Sequence, residues 1–540
     1  MLAHFASLLQ AAPAADPTAA PIAAPAIDWA ASAPILVLIG AAMLLLVADA
    51  LSLRKPIAGS YALFTVIAAG ASVASAVPLW QRVHDVQRGP FTIINGALGI
   101  DGFSVFFVFV LGAAVILAAL LADGYLRREG LDGPELYALV MLSASGGMVM
   151  AAADDLVVTF LGLEILSIAV YVLAAMHLRR IQSQEAAIKY FVLGAFSSAF
   201  FLYGIALVYG ATGTTKLPGI AGFQLPGGAT SPLPTDVSPS DLLHTTTHTP
   251  ALLLAGLALL LVGFGFKVAA VPFHSWTPDV YQGAPSPAVA FMASGVKAAG
   301  FAGLLRVLVV GFAPFVEDWR PYVLALAIAT LLVGSILAVV QKDVKRLLAY
   351  SSISHAGFIL IGVQAATSKG VSGSLFYLAT YTFMVAGSFG VVTVVSRAGD
   401  EGTSLDDFKG LAKRRPLLAF TFTVFLLAQG GAPLTAGFVA KFEVLSAAVD
   451  ANAWYLALVA MVCAVIAMYL YLKIVVAMYF GDDDAEREPD TAKVPFGAAL
   501  ALGIAALATV VLGLLPGLLD NLSHDATPRQ VEPVAAATDG

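Results

Sequence analysis

Four ionisable side chains lie deep inside apolar stretches: Glu164, Lys267, Lys297 and Lys441. A charge at the centre of a bilayer costs at least ~2.5–3.5 kcal/mol even on the lenient insertion scales, so residues of this kind are functional candidates by default. Burial disfavours the charged form of any acid or amine, and a buried amine therefore becomes a group that can give up and regain a proton. One acid cannot neutralise three lysines, which points to proton transfer rather than a static ion pair. His355 ends the polar strip Tyr350-Ser-Ser-Ile-Ser-His355 and adds an imidazole suited to the same relay. His274, just after Pro272, is a weaker candidate. Arg306 and Lys473 lie nearer the ends of their stretches, where a long cation reaches back to the interface. Asp49 and Asp101 read as solvated helix ends.

The elements that carry these residues are membrane helices. Of 540 residues, 59% are hydrophobic and 12% are charged, with a mean hydropathy of +0.88. These values exclude a water-soluble globule and a disordered chain. A single cysteine, Cys463, excludes a disulfide framework and any cysteine-ligated iron–sulfur cluster within the chain. A net charge of −7 offers no basic patch, so no nucleic-acid partner is expected.

Roughly 20 apolar residues span the hydrocarbon core. Fourteen stretches qualify, at 33–51, 60–80, 102–125, 136–152, 156–177, 187–210, 250–271, 285–312, 321–341, 346–365, 371–396, 416–448, 453–479 and 495–518. The expected fold is an all-α polytopic membrane protein. Prolines in the seventh, eighth and twelfth spans predict broken or kinked helices. The chain divides into an Ala/Pro-rich segment (1–32), three helices (33–125), a five-helix unit (136–312) with an external loop (213–249), a second five-helix unit (321–479), a last helix (495–518) and a polar tail (519–540). In the external loop, His244 and His248 share a helical spacing, but no carboxylate or cysteine cluster accompanies them as a metal site.

Basic residues crowd the loops after odd-numbered spans, among them Arg54, Arg127, Arg128, Arg180, Lys345, Arg346 and Arg415, and are sparse on the other side. By the positive-inside bias, the odd loops face the cytoplasm and both termini lie outside. Lys267 precedes Pro272 in the seventh span, and Lys441 follows Pro433 in the twelfth. Each is the fourth span of a five-helix group (4–8 and 9–13), and the two run in opposite directions. That pattern fits an inverted repeat with broken seventh and twelfth helices.

Four blocks carry a resemblance to a known family: Gly162-Leu-Glu-Ile-Leu-Ser-Ile-Ala-Val-Tyr-Val-Leu173, Pro272-Phe-His-Ser-Trp-Thr-Pro-Asp-Val-Tyr-Gln-Gly-Ala-Pro285, Lys345-Arg-Leu-Leu-Ala-Tyr-Ser-Ser-Ile-Ser-His-Ala-Gly357 and Gly431-Ala-Pro-Leu-Thr-Ala-Gly-Phe-Val-Ala-Lys-Phe442. Over roughly residues 95–480 the chain resembles the antiporter-like membrane subunits of respiratory complex I, the proton-translocating NADH:quinone oxidoreductase. Within that family the Thr277-Pro-Asp-Val form and a lysine at position 297 distinguish it from the larger sister subunits, which tend to carry Leu-Pro-Asp-Ala and a histidine.

The resemblance implies fourteen helices in two inverted repeats and a place in the membrane arm of a bacterial inner-membrane translocase. A second antiporter-like subunit and the small membrane subunits near the quinone site would be its neighbours. It implies no redox centre or cofactor in this chain; FMN, iron–sulfur clusters and quinone would belong to partner subunits. It also implies a relay in which Glu164 pairs with Lys267, and a proton passes to Lys297, by His355, to Lys441 and out. The alternatives are a subunit of a multi-subunit Na⁺/H⁺ antiporter, a membrane subunit of a hydrogenase-like relative, and a structural subunit that does not pump.

Overall fold

In lipid, every backbone N–H and C=O must find a partner within the protein, so the apolar stretches form helices. The computed structural model describes residues 27–52, 57–178, 180–222, 249–481 and 494–528. Most of the Ala/Pro-rich segment, His244 and His248, and the end of the polar tail lie outside the described residues.

The first helices are α1 (Trp29–Leu51) and α2 (Ser60–Val83). A two-stranded antiparallel hairpin, β1 (Phe91–Ile93) and β2 (Leu98–Ile100), then interrupts the all-helical expectation. Next come α3 (Gly102–Glu129), α4 (Glu135–Ala152), α5 (Leu156–Ala175), α6 (Ile181–Thr212) and the short α7 (Leu217–Ala221). The middle of the chain forms α8 (Thr249–Val268), α9 (Trp276–Gly283), α10 (Ser286–Gly311), α11 (Val316–Val339) and α12 (Val344–Ala365). The rest forms α13 (Ser368–Val395), α14 (Leu411–Arg414), α15 (Pro416–Gly430), α16 (Ala436–Asp450), α17 (Trp454–Phe480), α18 (Phe496–Leu514) and α19 (Gly517–Asp525).

Among the described residues, 13 helices are long and apolar enough to cross a membrane. The expected twelfth span, 416–448, is broken as its proline predicts, into two half-helices, α15 and α16. Gly431 ends α15 at φ 90°, a left-handed conformation that glycine reaches without strain. The seventh span breaks as expected: α8 stops at Val268, and helix resumes at Trp276. The Trp276 indole donates to Phe266 O at 2.9 Å and so caps α8. The eighth span does not break at its prolines. Pro285 and Pro287 sit at the start of α10, where a missing N–H costs nothing. Its irregularities are two π turns, Met292–Val296 and Val307–Gly311.

α10 is buried along its whole length, and so is the apolar core of α12. Around them α1, α2, α6, α11, α17 and α18 turn one face outward. On α6 that face carries Ile188, Phe191, Phe196, Phe200 and Tyr203. Polar residues are thus drawn inward and apolar ones outward, the pattern of a lipid-solvated bundle.

Two distant turns are built alike. Where α4 meets α5, Leu156 N donates to Thr215 O, Leu217 N donates to Asp154 O, and the Thr215 hydroxyl donates to the Asp155 carboxylate at 2.7 Å. Where α11 meets α12, Val344 N donates to Thr403 O, Leu405 N donates to Lys342 O, and the Thr403 hydroxyl donates to the Asp343 carboxylate at 2.5 Å. One constant offset along the chain relates the two sets. A cation from elsewhere closes each turn: Arg306 Nε donates to Ala153 O at 3.0 Å, and Lys473 Nζ donates to Gln341 O at 3.3 Å.

Candidate functional site

The long central helices bring four of the five expected relay residues into the interior. Lys267 is 3% exposed, Lys297 2%, His355 2% and Lys441 6%. Glu164 is half-buried on α5.

Lys267, in the last turn of α8, donates to the Ser167 hydroxyl at 2.8 Å and lies about equally far from the rings of Tyr171 and Tyr190. Its stem packs on Gly300, one turn beyond Lys297 on α10; a Cβ there would meet Lys267 Cγ at 3.2 Å. The expected direct Glu164–Lys267 contact is not made. Ser167 follows Glu164 by one turn on the same helical face and occupies the position facing α8. Glu164 turns instead to α6, where the Ser198 hydroxyl donates to its carboxylate.

Lys297 leaves the first π turn of α10 and donates to Ser352 O on α12 at 2.6 Å. One turn further along α12, His355 lies between two tyrosines, with Nδ1 2.7 Å from the Tyr377 hydroxyl and Nε2 3.1 Å from that of Tyr471. Tyr471 also shares a hydrogen bond with Ser351 at 2.5 Å. Lys441, on α16, reaches back across the break to donate to Gln429 O and Gly430 O, both at 2.9 Å, and stands 4.8 Å over the Phe358 ring. It thereby places an ammonium on the carbonyl end of α15, where the helix dipole favours a cation. The line from Lys267 to Lys441 passes through amines, hydroxyls, an imidazole and backbone carbonyls, the groups a proton relay needs.

His274 does not join this line. It lies in the break between α8 and α9, half-buried, with Nδ1 unpartnered. Arg306 does not snorkel. It is 2% exposed and ion-pairs with Asp101 and Asp154, each at 2.6 Å. Burial raises the Asp154 pKa, and Arg306 offsets only part of that rise. Asp101, read as a solvated helix end, also caps α3 by accepting from Ser104 N at 2.8 Å. Gly99 makes room for the pair, since a Cβ would fall on both Arg306 and Asp154. Lys473 is half-buried on backbone carbonyls.

Lys345, read as a loop charge, is fully buried. It is held by Ala284 O at 2.8 Å and by the Asp400 carboxylate at 3.2 Å. Sequence reasoning missed this pair because Asp400 lies in a polar connection with no pattern of its own. Among the described residues, no three His, Cys, Asp or Glu side chains gather as a metal site.

Known proteins share this fold. Residues 153–467 match the family described as NADH:quinone oxidoreductase/Mrp antiporter, TM. The chain is 43% identical to the NADH-quinone oxidoreductase subunit N of Trichlorobacter lovleyi, over 79% of this chain and 84% of that one. Among solved structures it is similar to a chain of respiratory complex I from Thermus thermophilus, with a TM-score of 0.71, 33% identity, and coverage of 92% and 99%. A chain of the Mrp complex from Dietzia shares the fold at 22% identity and a TM-score of 0.77. A bundle with buried lysines at two helix breaks, matched to these relatives over most of its length, belongs to the NADH-quinone oxidoreductase subunit N family.

Proposed function

We propose that this chain carries protons across the membrane as the antiporter-like N-type subunit of an NADH:quinone oxidoreductase. The observation that carries the reading is the interior line Lys267–Ser167, Lys297–Ser352, His355–Tyr377/Tyr471 and Lys441–Gly430. Redox energy released in partner subunits would disturb Glu164 and Ser198 at the α5–α6 face. Lys267 would then release its proton toward Lys297, and His355 would carry it on to Lys441. Breaking an ion or hydrogen-bonded pair in a low-dielectric site changes proton affinity enough to drive such a step.

The two matched turns support reading helices 4–8 and 9–13 as inverted repeats that bring the total to fourteen spans. The loop bias supports a bacterial inner membrane with the Asp400 face toward the cytoplasm and both termini on the periplasmic side. FMN, iron–sulfur clusters and quinone would reside in partner subunits. The membrane neighbours would be a second antiporter-like subunit and the small subunits near the quinone site.

The test uses inverted vesicles carrying the assembled complex with Lys267→Ala. NADH-driven proton uptake and NADH oxidation are expected to fall together several-fold. Unchanged values for both would overturn the reading and make NADH-independent Na⁺/H⁺ exchange the next assay. Ser167→Ala tests the hydroxyl contact separately. Losing one hydrogen bond worth about 0.5–1.5 kcal/mol is expected to slow uptake roughly two- to tenfold, with assembly intact. No change there would remove Ser167 from the line.

A further inference from the structure

A second buried acid–lysine pair lies outside this line. Asp400 is 1% exposed and Lys345 is not exposed at all. The carboxylate gathers the ends of five helices: Ser286 Oγ at 2.8 Å opens α10, the Tyr125 hydroxyl at 3.1 Å comes from the end of α3, Lys345 at 3.2 Å opens α12, Ser396 Oγ at 3.4 Å follows α13, and Arg180 at 3.5 Å precedes α6. Burial alone would raise the Asp400 pKa, but Lys345, Ser286 and Arg180 together hold it below the usual carboxylate range. A carboxylate so held is a permanent negative charge at physiological pH.

Two of the helices that it ties carry the relay. Ser286 starts α10, which bears Lys297. Lys345 starts α12, whose Ser352 carbonyl accepts from Lys297. Lys345 and Ser352 are seven residues apart, two turns on one face and about 10 Å along the axis. Lys345 also donates to Ala284 O, which closes α9 and ties in the second half of the broken seventh span. Tyr281 on α9 and Tyr381 on α13 bring hydroxyls beside Ser352, and the Ser352 and Tyr381 hydroxyls are buried without a well-formed hydrogen bond. The charged and titratable groups around Lys297 are thus Lys267, His355, Tyr281, Tyr381 and, one shell out, Lys345, Asp400 and Arg180.

We propose that Asp400 and Lys345 are positioning residues of the relay: they fix α12 against α10 so that Ser352 holds Lys297, and their balanced charges set the electrostatic field in which Lys297 exchanges its proton. This rests on the relay reading above. Its signature is a pair of opposite displacements. Asp400→Asn removes a negative charge, leaves Lys345 and Arg180 uncompensated and disfavours protonated Lys297. Lys345→Met removes a positive charge and does the reverse.

Eleven residues of α10, about 16 Å of axis, separate Ser286 on the carboxylate from Lys297, and over that distance in a partly screened interior one unit charge is worth roughly half a pH unit. The pH profile of NADH-driven proton uptake in inverted vesicles is therefore expected to move about half a unit to the acid side in Asp400→Asn and about half a unit to the alkaline side in Lys345→Met. Lys345→Arg, which keeps the charge, should keep the wild-type profile. Profiles that stay in place, or both move the same way, would overturn the proposal and leave the cluster a plain structural tie. Should Asp400→Asn fail to assemble, Lys345→Met against Lys345→Arg decides alone by the same criterion. Lys297→Ala separates the two levels: normal proton uptake in that variant sinks the relay reading itself, whereas lost uptake with unmoved Lys345→Met profiles sinks only this inference.

Discussion

Lys441→Arg is expected to leave the complex assembled while NADH-driven proton uptake falls about a hundredfold or more, the lower end for losing a positioned proton carrier. Lys441 does two jobs. Its ammonium caps the carbonyl end of α15 through Gln429 O and Gly430 O, and its exchangeable proton makes it a carrier. Arginine keeps the positive charge for the cap but does not deprotonate at accessible pH. Alanine removes both and is expected to cost stability as well, because two buried carbonyls lose their donor. Comparing the two variants by proton uptake and by the amount of assembled complex separates the roles. Uptake above half of wild type in Lys441→Arg would take Lys441 out of the relay.

The largest structural loss is expected from Arg306→Ala. The guanidinium is 2% exposed and serves Asp101, Asp154 and Ala153 O at once. Removing one partner of a buried ion pair typically costs about 3–5 kcal/mol, because the remaining charge is left uncompensated. Little assembled complex is expected at neutral pH. The residual destabilisation should depend on pH with a definite sign. Burial already raises the Asp154 pKa, and without Arg306 that rise has less to oppose it. A carboxyl whose folded pKa lies above its unfolded value binds more protons when folded, so stability falls as pH rises through that window. The variant should therefore be recovered in greater yield, and melt at higher temperature, in mildly acidic buffer than at neutral pH. Equal melting at both would show that Asp154 is not the group left exposed to the loss.

The sequence already showed the membrane class, nearly every span and the breaks at the seventh and twelfth helices, because long apolar runs and prolines are local signals. Lys267, Lys297, His355 and Lys441 were legible for the same reason: each is a polar residue in an apolar run, and each proved buried. What each touches was not legible. Ser167 takes the place that Glu164 was expected to hold beside Lys267, a matter of helix rotation by one turn. Arg306 and Lys345 looked peripheral because they lie near span ends, yet their partners come from distant parts of the chain. The paired Asp155–Thr215 and Asp343–Thr403 turns share little sequence beyond an aspartate and a threonine. Their likeness emerges only when backbone partners are compared.

The two π turns of α10 bear on how this helix can change over evolutionary time. Each π turn holds one residue more than regular α-helix would, and losing it would rotate everything beyond by about 100°. The first π turn separates Ser286, anchored on Asp400, from Lys297, anchored on Ser352. The second follows Arg306 and forms the helix end itself, which packs on α7 where Gly311 meets Leu217. A single-codon deletion within 292–296 would tidy the helix locally, yet swing Lys297 away from α12 or pull Ser286 from its carboxylate. α10 therefore tolerates substitution at many apolar positions but not a change of length.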